Sequence, residues 1–230
     1  MALKKINFLG NKVYLKQKLI AQIVKGKSVV HYGCVDDNKI LIDSKMKKGY
    51  YLQKVVTDIT TKCVGIDLNK ELIEYLSVKY NVNNIYYGDV EDPNTFDLDI
   101  KTLKEYEILL IPDLIEHLNN VGKMLEGVRK YFSPQVKIYI MTPNPSGYLN
   151  FLATLLRREI YSNHHSCLFT TECMKVLLGR YGFKIEKVYP VFVPKERGSF
   201  LVVADKILSK VVTFISPGFA DLFMFKCSIL

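Results

Sequence analysis

Two residues placed a glycine turn and a crossover apart carry the first readable chemistry in this chain. The stretch Ser28-Val29-Val30-His31-Tyr32-Gly33-Cys34-Val35-Asp36 reads as a buried strand ending in a tight turn at Gly33. The stretch Cys63-Val64-Gly65-Ile66-Asp67 reads as a second strand that ends in an acid. A glycine lets backbone pass close to a ligand, and a carboxylate at a strand end can accept hydrogen bonds from both hydroxyls of a ribose. Strand, glycine turn, crossover, strand and acid is the layout of a nucleotide-binding α/β half. A second group with chemical content is Asp113-Leu114-Ile115-Glu116-His117. Read locally, Asp113 with Glu116 three residues on forms a capping arrangement for a following helix.

The elements that must position these residues follow from periodicity. Val13 to Val24 has helical spacing, and the first strand runs Ser28 to Tyr32. Tyr51 to Ile59 reads as a helix, Cys63 to Ile66 as strand two, and Asn69 caps a helix that reaches Tyr80. Further strands are expected at Asn84–Tyr87, Tyr106–Ile111 and Val136–Met141, the last closed by Thr142-Pro143-Asn144-Pro145, with a helix over Leu118–Phe132. The remainder reads as helices at Leu149–Arg157 and Thr171–Tyr181, a strand at Phe183–Val193, a helix at Leu201–Phe214 and a strand at Leu222–Ser228. Strands alternating with helices imply a parallel sheet covered on both faces.

With 230 residues, 49% of them hydrophobic, the chain is long enough for one substantial core, and 1–230 is expected to form a single domain. No apolar run reaches the length of a membrane span, and the N-terminus lacks a secretory pattern, so a cytoplasmic location is expected. The five cysteines are scattered, with no Cys-x-x-Cys pair, which argues against a zinc knuckle or a disulfide framework. The net charge of +9 implies anionic company. The lysines are dispersed, however, and the densest cluster, Lys45-Met46-Lys47-Lys48, reads as a solvated edge rather than a nucleic-acid grip. The last third is unusually apolar, which leaves core, a homodimer face or a membrane-surface patch open to it.

Taken in order, four motifs make the chain resemble the class I S-adenosylmethionine-dependent methyltransferases. They are Val29-Val30-His31-Tyr32-Gly33-Cys34-Val35-Asp36, then Val64-Gly65-Ile66-Asp67, then Gly88-Asp89-Val90, and finally Asp113-Leu114-Ile115-Glu116-His117-Leu118 paired with Met141-Thr142-Pro143-Asn144. The likeness covers about residues 27–230. It implies a Rossmann-like fold with a seven-stranded, mostly parallel sheet, an N-terminal helix within 1–26 and a substrate lid over 145–182. Tyr148, Phe151, Tyr161 and Phe169 lie in that lid. It also implies S-adenosylmethionine as cofactor. His31, Tyr32, Gly33, Cys34 and Val35 would lie under its methionine part, Asp67 with Leu68 at the ribose, and Gly88, Asp89 and Val90 at the adenine. Asp113 would close the site. The first motif departs from the family at His31, where an Asp is usual, and at Val35, where a second glycine is usual.

Methyl transfer is an in-line displacement, so the protein mainly aligns donor and acceptor. A hydroxyl acceptor also needs a base, for which His117, His164, His165 and Asp113 are the candidates. The Gly-Cys-Val-Asp form of the first motif is similar to bacterial enzymes of surface-polysaccharide and secondary-metabolite pathways. The expected acceptor is therefore a small molecule such as a sugar or glycan precursor, anionic or nucleotide-linked.

A second likeness, to ubiquinone-pathway O-methyltransferases and small-RNA 2′-O-methyltransferases, implies a divalent cation such as Mg²⁺ on Asp113, Glu116, His117 and a later histidine, His164 or His165. It makes RNA 2′-O-methylation the first alternative. A cofactor-binding pseudoenzyme, suggested by His31 and Val35, is the other.

Overall fold

The computed structural model describes residues 13–160, 164–193 and 216–230. Its strands are β1 (Tyr14–Leu15), β2 (Ser28–Tyr32), β3 (Lys62–Asp67), β4 (Ile85–Tyr87), β5 (Ile108–Pro112), β6 (Lys137–Pro143), β7 (Phe183–Phe192) and β8 (Leu222–Ile229). Its helices are α1 (Lys16–Val24), α2 (Lys39–Lys47), α3 (Leu52–Ile59), α4 (Lys70–Tyr80), α5 (Val121–Tyr131), α6 (Tyr148–Leu155) and α7 (Thr171–Arg180). The strands form one sheet in the order β1-β7-β8-β6-β5-β2-β3-β4. Only β8 runs against its neighbours β6 and β7; every other pairing is parallel. This is the Rossmann-like methyltransferase fold the sequence predicts, with eight strands in place of seven. The extra one is two-residue β1, which pairs through Tyr14 with Val191 and Leu15 with Phe192 at the open edge of β7. The helix expected from Val13 therefore starts only at Lys16.

β5 is buried at all five positions and sits between two parallel neighbours, so its apolar run does not alternate. Its residues still divide by face. Leu109 and Ile111 pack with Val30, Tyr32, Ile138 and Ile140 against Met124, Leu125 and Val128 of α5 and Met174 and Leu178 of α7. Ile108 and Leu110 pack with Val29, Tyr139 and Met141 against Leu19, Ile20 and Val24 of α1 and Val56 of α3. Of the expected lid, α7 is thus anchored in the main core. Tyr148 at the start of α6 is buried, Phe151 is exposed with its ring against Phe219, and Phe169 packs against the core. Tyr161 and the helix expected at Leu201–Phe214 lie outside the described residues.

Three boundaries differ from the sequence expectation for local reasons. α2 falls where the sequence predicts no element, because it buries only Ile42 and shows little apolar periodicity; Asn38 caps it by accepting the Leu41 N–H at 3.0 Å. α5 starts at Val121 rather than Leu118, capped by Asn120, whose side chain accepts the Lys123 N–H. Asp113 and Glu116 therefore cap nothing, and the residues between β5 and α5 are free to build a site. β6 continues through Thr142 and Pro143, because β8 pairs with both, through Phe223 and Leu222. Asn144 then ends the strand by donating its side-chain amide to the carbonyls of Gly218 and Ala220. Among the described residues, no helix is long and apolar enough to cross a membrane.

Candidate active site

The carboxyl ends of β2, β3 and β4 lie side by side and are tied by backbone. The Gly33 N–H donates to the Ile66 carbonyl at 3.0 Å, and the Gly88 N–H donates to the Asp67 carbonyl at 3.0 Å. Gly33 has φ +65°, and a Cβ there would stand 2.9 Å from the Leu114 side chain. The turn after β2 therefore requires glycine twice over, once for its backbone and once for the residue pressing on it. Gly65 is needed for close approach alone, since a Cβ would collide with the Cys34 sulfur.

Asp67 accepts the Val35 N–H at 2.9 Å on one oxygen and the Asn69 N–H at 3.1 Å on the other. Burial raises its pKa, and the backbone donors around it act in the opposite direction. Each oxygen keeps lone-pair capacity beyond its one backbone donor, as a diol-binding acid requires. Asp89 turns one oxygen onto the Glu91 N–H at 2.8 Å, an Asx turn that fixes the loop after β4.

Between β2 and β5 the strand ends open into a cleft of about 570 Å³. Of the expected cofactor residues, His31, Gly33, Cys34, Val35 and Asp113 line it, and so does His117. Asp67, Leu68, Gly88, Asp89 and Val90 do not line it and sit at the neighbouring ends of β3 and β4. Tyr32 points the other way, its ring edge-on to Phe96 and Phe132 in the core. His31 is buried, with Nδ1 2.7 Å from the Gln53 side-chain oxygen; burial pulls its pKa down to about 4, so it is neutral at pH 7. Lys16 and Tyr51 also line the cleft and were not anticipated. Lys16 pairs with the Asp113 carboxylate across 97 positions of sequence, a separation no local pattern reveals. The Tyr51 hydroxyl donates to the Cys34 carbonyl at 3.0 Å and holds the loop after Gly33.

The turn after β5 is built around backbone exceptions and buried polar atoms. Asp113 has φ +49°, and its N–H donates to the Met141 carbonyl at 2.9 Å. Its second carboxylate oxygen is buried with no hydrogen-bond partner among the described residues. Glu116 is fully buried, and both of its oxygens lack partners. Burial, with the Asp113 charge adding to it, raises its pKa to about 7.

The segment after α6 docks onto this turn through Ser166. Its N–H donates to the Glu116 carbonyl at 2.7 Å, and its hydroxyl lies within hydrogen-bond reach of the Glu116 and Leu118 carbonyls. Docking brings the His165 ring edge-on to His117, centroids 4.7 Å apart. His117 Nδ1 lies 3.1 Å from the His164 carbonyl. A carbonyl only accepts, so Nδ1 carries the proton and Nε2 keeps a lone pair.

Ligand atoms of Glu116, His117 and His165 lie within 4.8 Å of one another. Of the set expected from sequence, Glu116, His117 and His165 gather, and Asp113 and His164 do not. Asp113 is turned to Lys16, and His164 enters through its carbonyl, so that the histidine brought to His117 is its neighbour. Asp113, Glu116 and His117 were legible as a group; the choice between His164 and His165 was not, since both are polar residues in one loop.

The family model described as a methyltransferase domain matches residues 14–188, from β1 into β7 and across every part of this site. The chain belongs to the methyltransferase domain family. Its fold is shared by solved methyltransferases at low identity. An S-adenosylmethionine-dependent methyltransferase from Mesorhizobium loti is 15% identical, with a TM-score of 0.56, covering 93% of this chain and 95% of that one. One from Aquifex aeolicus is 13% identical, with a TM-score of 0.54, covering 94% and 90%. One from Archaeoglobus fulgidus is 16% identical, with a TM-score of 0.52, covering 91% and 94%. No curated protein sequence matches the chain.

Proposed function

We propose that this methyltransferase moves the methyl group of S-adenosylmethionine to a hydroxyl of a small molecule, with a sugar or glycan precursor as the class its sequence resembles most. When bound, S-adenosylmethionine supplies an electrophilic methyl carbon. Backbone from Gly33 to Val35 would underlie its methionine part, Asp67 would take the ribose diol, and the loop of Gly88, Asp89 and Val90 would flank the adenine. The observation that carries the reading is His117. Its tautomer is fixed by the His164 carbonyl, and it stands on the wall of the same cleft as the Gly33 turn. In the transfer, which would leave S-adenosylhomocysteine, Nε2 of His117 would take the proton released by the acceptor hydroxyl. His165, whose Nδ1 is buried without a partner, orients the acceptor. In the test, His117→Ala loses labelled-methyl transfer to hydroxyl compounds by 10²-fold or more and keeps its affinity for S-adenosylhomocysteine. Full activity in the variant contradicts the assignment.

A second reading is favoured by the gathering of Glu116, His117 and His165 around one point and by the two unpartnered Glu116 oxygens. One carboxylate and two imidazoles suit a divalent cation such as Mg²⁺, Mn²⁺ or Fe²⁺, which would acidify the acceptor hydroxyl in place of a free base. RNA 2′-O-methylation belongs to this reading. A rise in melting temperature with Mn²⁺ or Mg²⁺ that disappears in Glu116→Gln supports it; no rise with any of these ions removes it.

A further inference from the structure

The paired histidines stand between two cavities. His117 lines the cleft at the Gly33 turn, whereas His165 lines a second cavity, of about 180 Å³, between the end of β6 and α6. Their rings meet nearly at right angles, 79° apart, so the two cavities adjoin at this pair. The lining of the second cavity is of two kinds. Asn144, Asn150, His165 and Asp221 are polar, and Leu149, Ile160 and Leu168 supply an apolar wall. Ile160 and Leu168 are 54% and 45% exposed, costly for apolar side chains with nothing on them. Helical spacing puts Leu152 and Leu156 on the same side of the α6 segment as Leu149, and both are exposed, so the apolar track continues outward from the cavity.

We infer that this second cavity is the acceptor site and that the acceptor is an amphiphile, a hydroxyl head carried on an aliphatic body that lies along Leu149, Ile160 and Leu168. The inference rests on the proposed transfer at His117 and names its substrate class. A glycan precursor attached to a lipid falls within that class; a free nucleotide sugar does not. The hydroxyl would reach the edge of the histidine pair from the α6 side and meet there the methyl carbon presented from the Gly33 side, with nothing between them, as the in-line displacement needs. The unpartnered Nδ1 of His165 is the group left to receive it.

The test titrates 1-butanol, 1-hexanol and 1-octanol calorimetrically into protein saturated with S-adenosylhomocysteine. Affinity is expected to tighten about threefold to fourfold for each methylene the cavity buries, and in Leu168→Ser this dependence on chain length is expected to shrink while S-adenosylhomocysteine affinity is unchanged. Leu168 is half exposed, so the variant keeps its fold. Equal affinity across the series, or a chain-length dependence that is the same in Leu168→Ser, overturns the inference and leaves the donor reading standing. Failure of S-adenosylhomocysteine to bind overturns the donor reading and takes this inference with it.

Discussion

Replacing Glu116 by Gln should stabilise the protein at alkaline pH and leave it nearly unchanged at acid pH. The carboxyl is buried with neither oxygen partnered, and its pKa stands at about 7 against an ordinary 4.5. Around it lie its own backbone N–H, the Thr142 hydroxyl and the Lys16 ammonium, which favour its charge, the Asp113 carboxylate, which repels it, and the rings of His117 and His165; burial outweighs the favourable groups. The sign follows from proton linkage. Below pH 4.5 the group is protonated in folded and unfolded chains alike and contributes nothing. Between 4.5 and 7 only the unfolded chain releases the proton, so stability falls as pH rises. Above 7 the folded chain carries a buried charge, and the loss levels off at about 3 kcal/mol.

His31 and His165, both with pKa values lowered by burial, act the other way: as pH falls below about 6.5 the unfolded chain takes up their protons before the folded one does, so stability falls with pH. The wild-type curve mixes these opposed slopes; the difference between Glu116→Gln and wild type isolates the carboxyl. Urea unfolding with chelator present, from pH 4 to 8.5, should give a difference near zero at the acid end and about 3 kcal/mol in favour of Gln at the alkaline end. A Gln variant that is equally destabilised at both ends would refute the reasoning, because it would mean that the carboxylate makes favourable contacts in the folded state.

Two further outcomes follow from the turns. Gly33→Ala should lower stability by about 2 to 3 kcal/mol, part from the left-handed backbone and part from the clash with Leu114. Adding Leu114→Ala should recover the steric part only, and urea unfolding of the single and double variants separates the two. Ser166→Ala should lower kcat roughly tenfold to a hundredfold with little change in KM for the methyl donor, since the hydroxyl positions His165 against His117 and touches no part of the donor cleft; steady-state kinetics in both substrates checks it.

The parallel α/β architecture was legible because its strands are short apolar runs bounded by glycine, asparagine and proline, and because Gly33, Asp67 and the acid after Gly88 recur in order at strand ends. The placement of Gly33 and Asp67 at neighbouring strand ends was legible for the same reason. The errors share a different cause. α2 was missed because its helix rests on one buried residue and a side-chain cap, which is too little periodicity to detect. Asp113 and Glu116 were read as a cap because their spacing fits one, yet the chain reaches Val121 before turning helical, and Asn120 supplies the cap. The pairing of Lys16 with Asp113 and the selection of His165 over His164 are tertiary facts. Each depends on which loop folds onto which strand end, and the sequence at either place carries no record of the other.

The account stands or falls with the donor site, and calorimetric titration of S-adenosylhomocysteine into wild type and Asp67→Ala tests it most directly. Asp67 ends β3 beside the Gly33 turn, with one oxygen accepting the Val35 N–H and the other the Asn69 N–H. Micromolar binding to wild type, about −8 kcal/mol, that weakens by 10²-fold or more in Asp67→Ala is the predicted result, equivalent to at least about 2.7 kcal/mol for hydrogen bonds to a charged acceptor. No binding to wild type, or equal binding to both proteins, would contradict it.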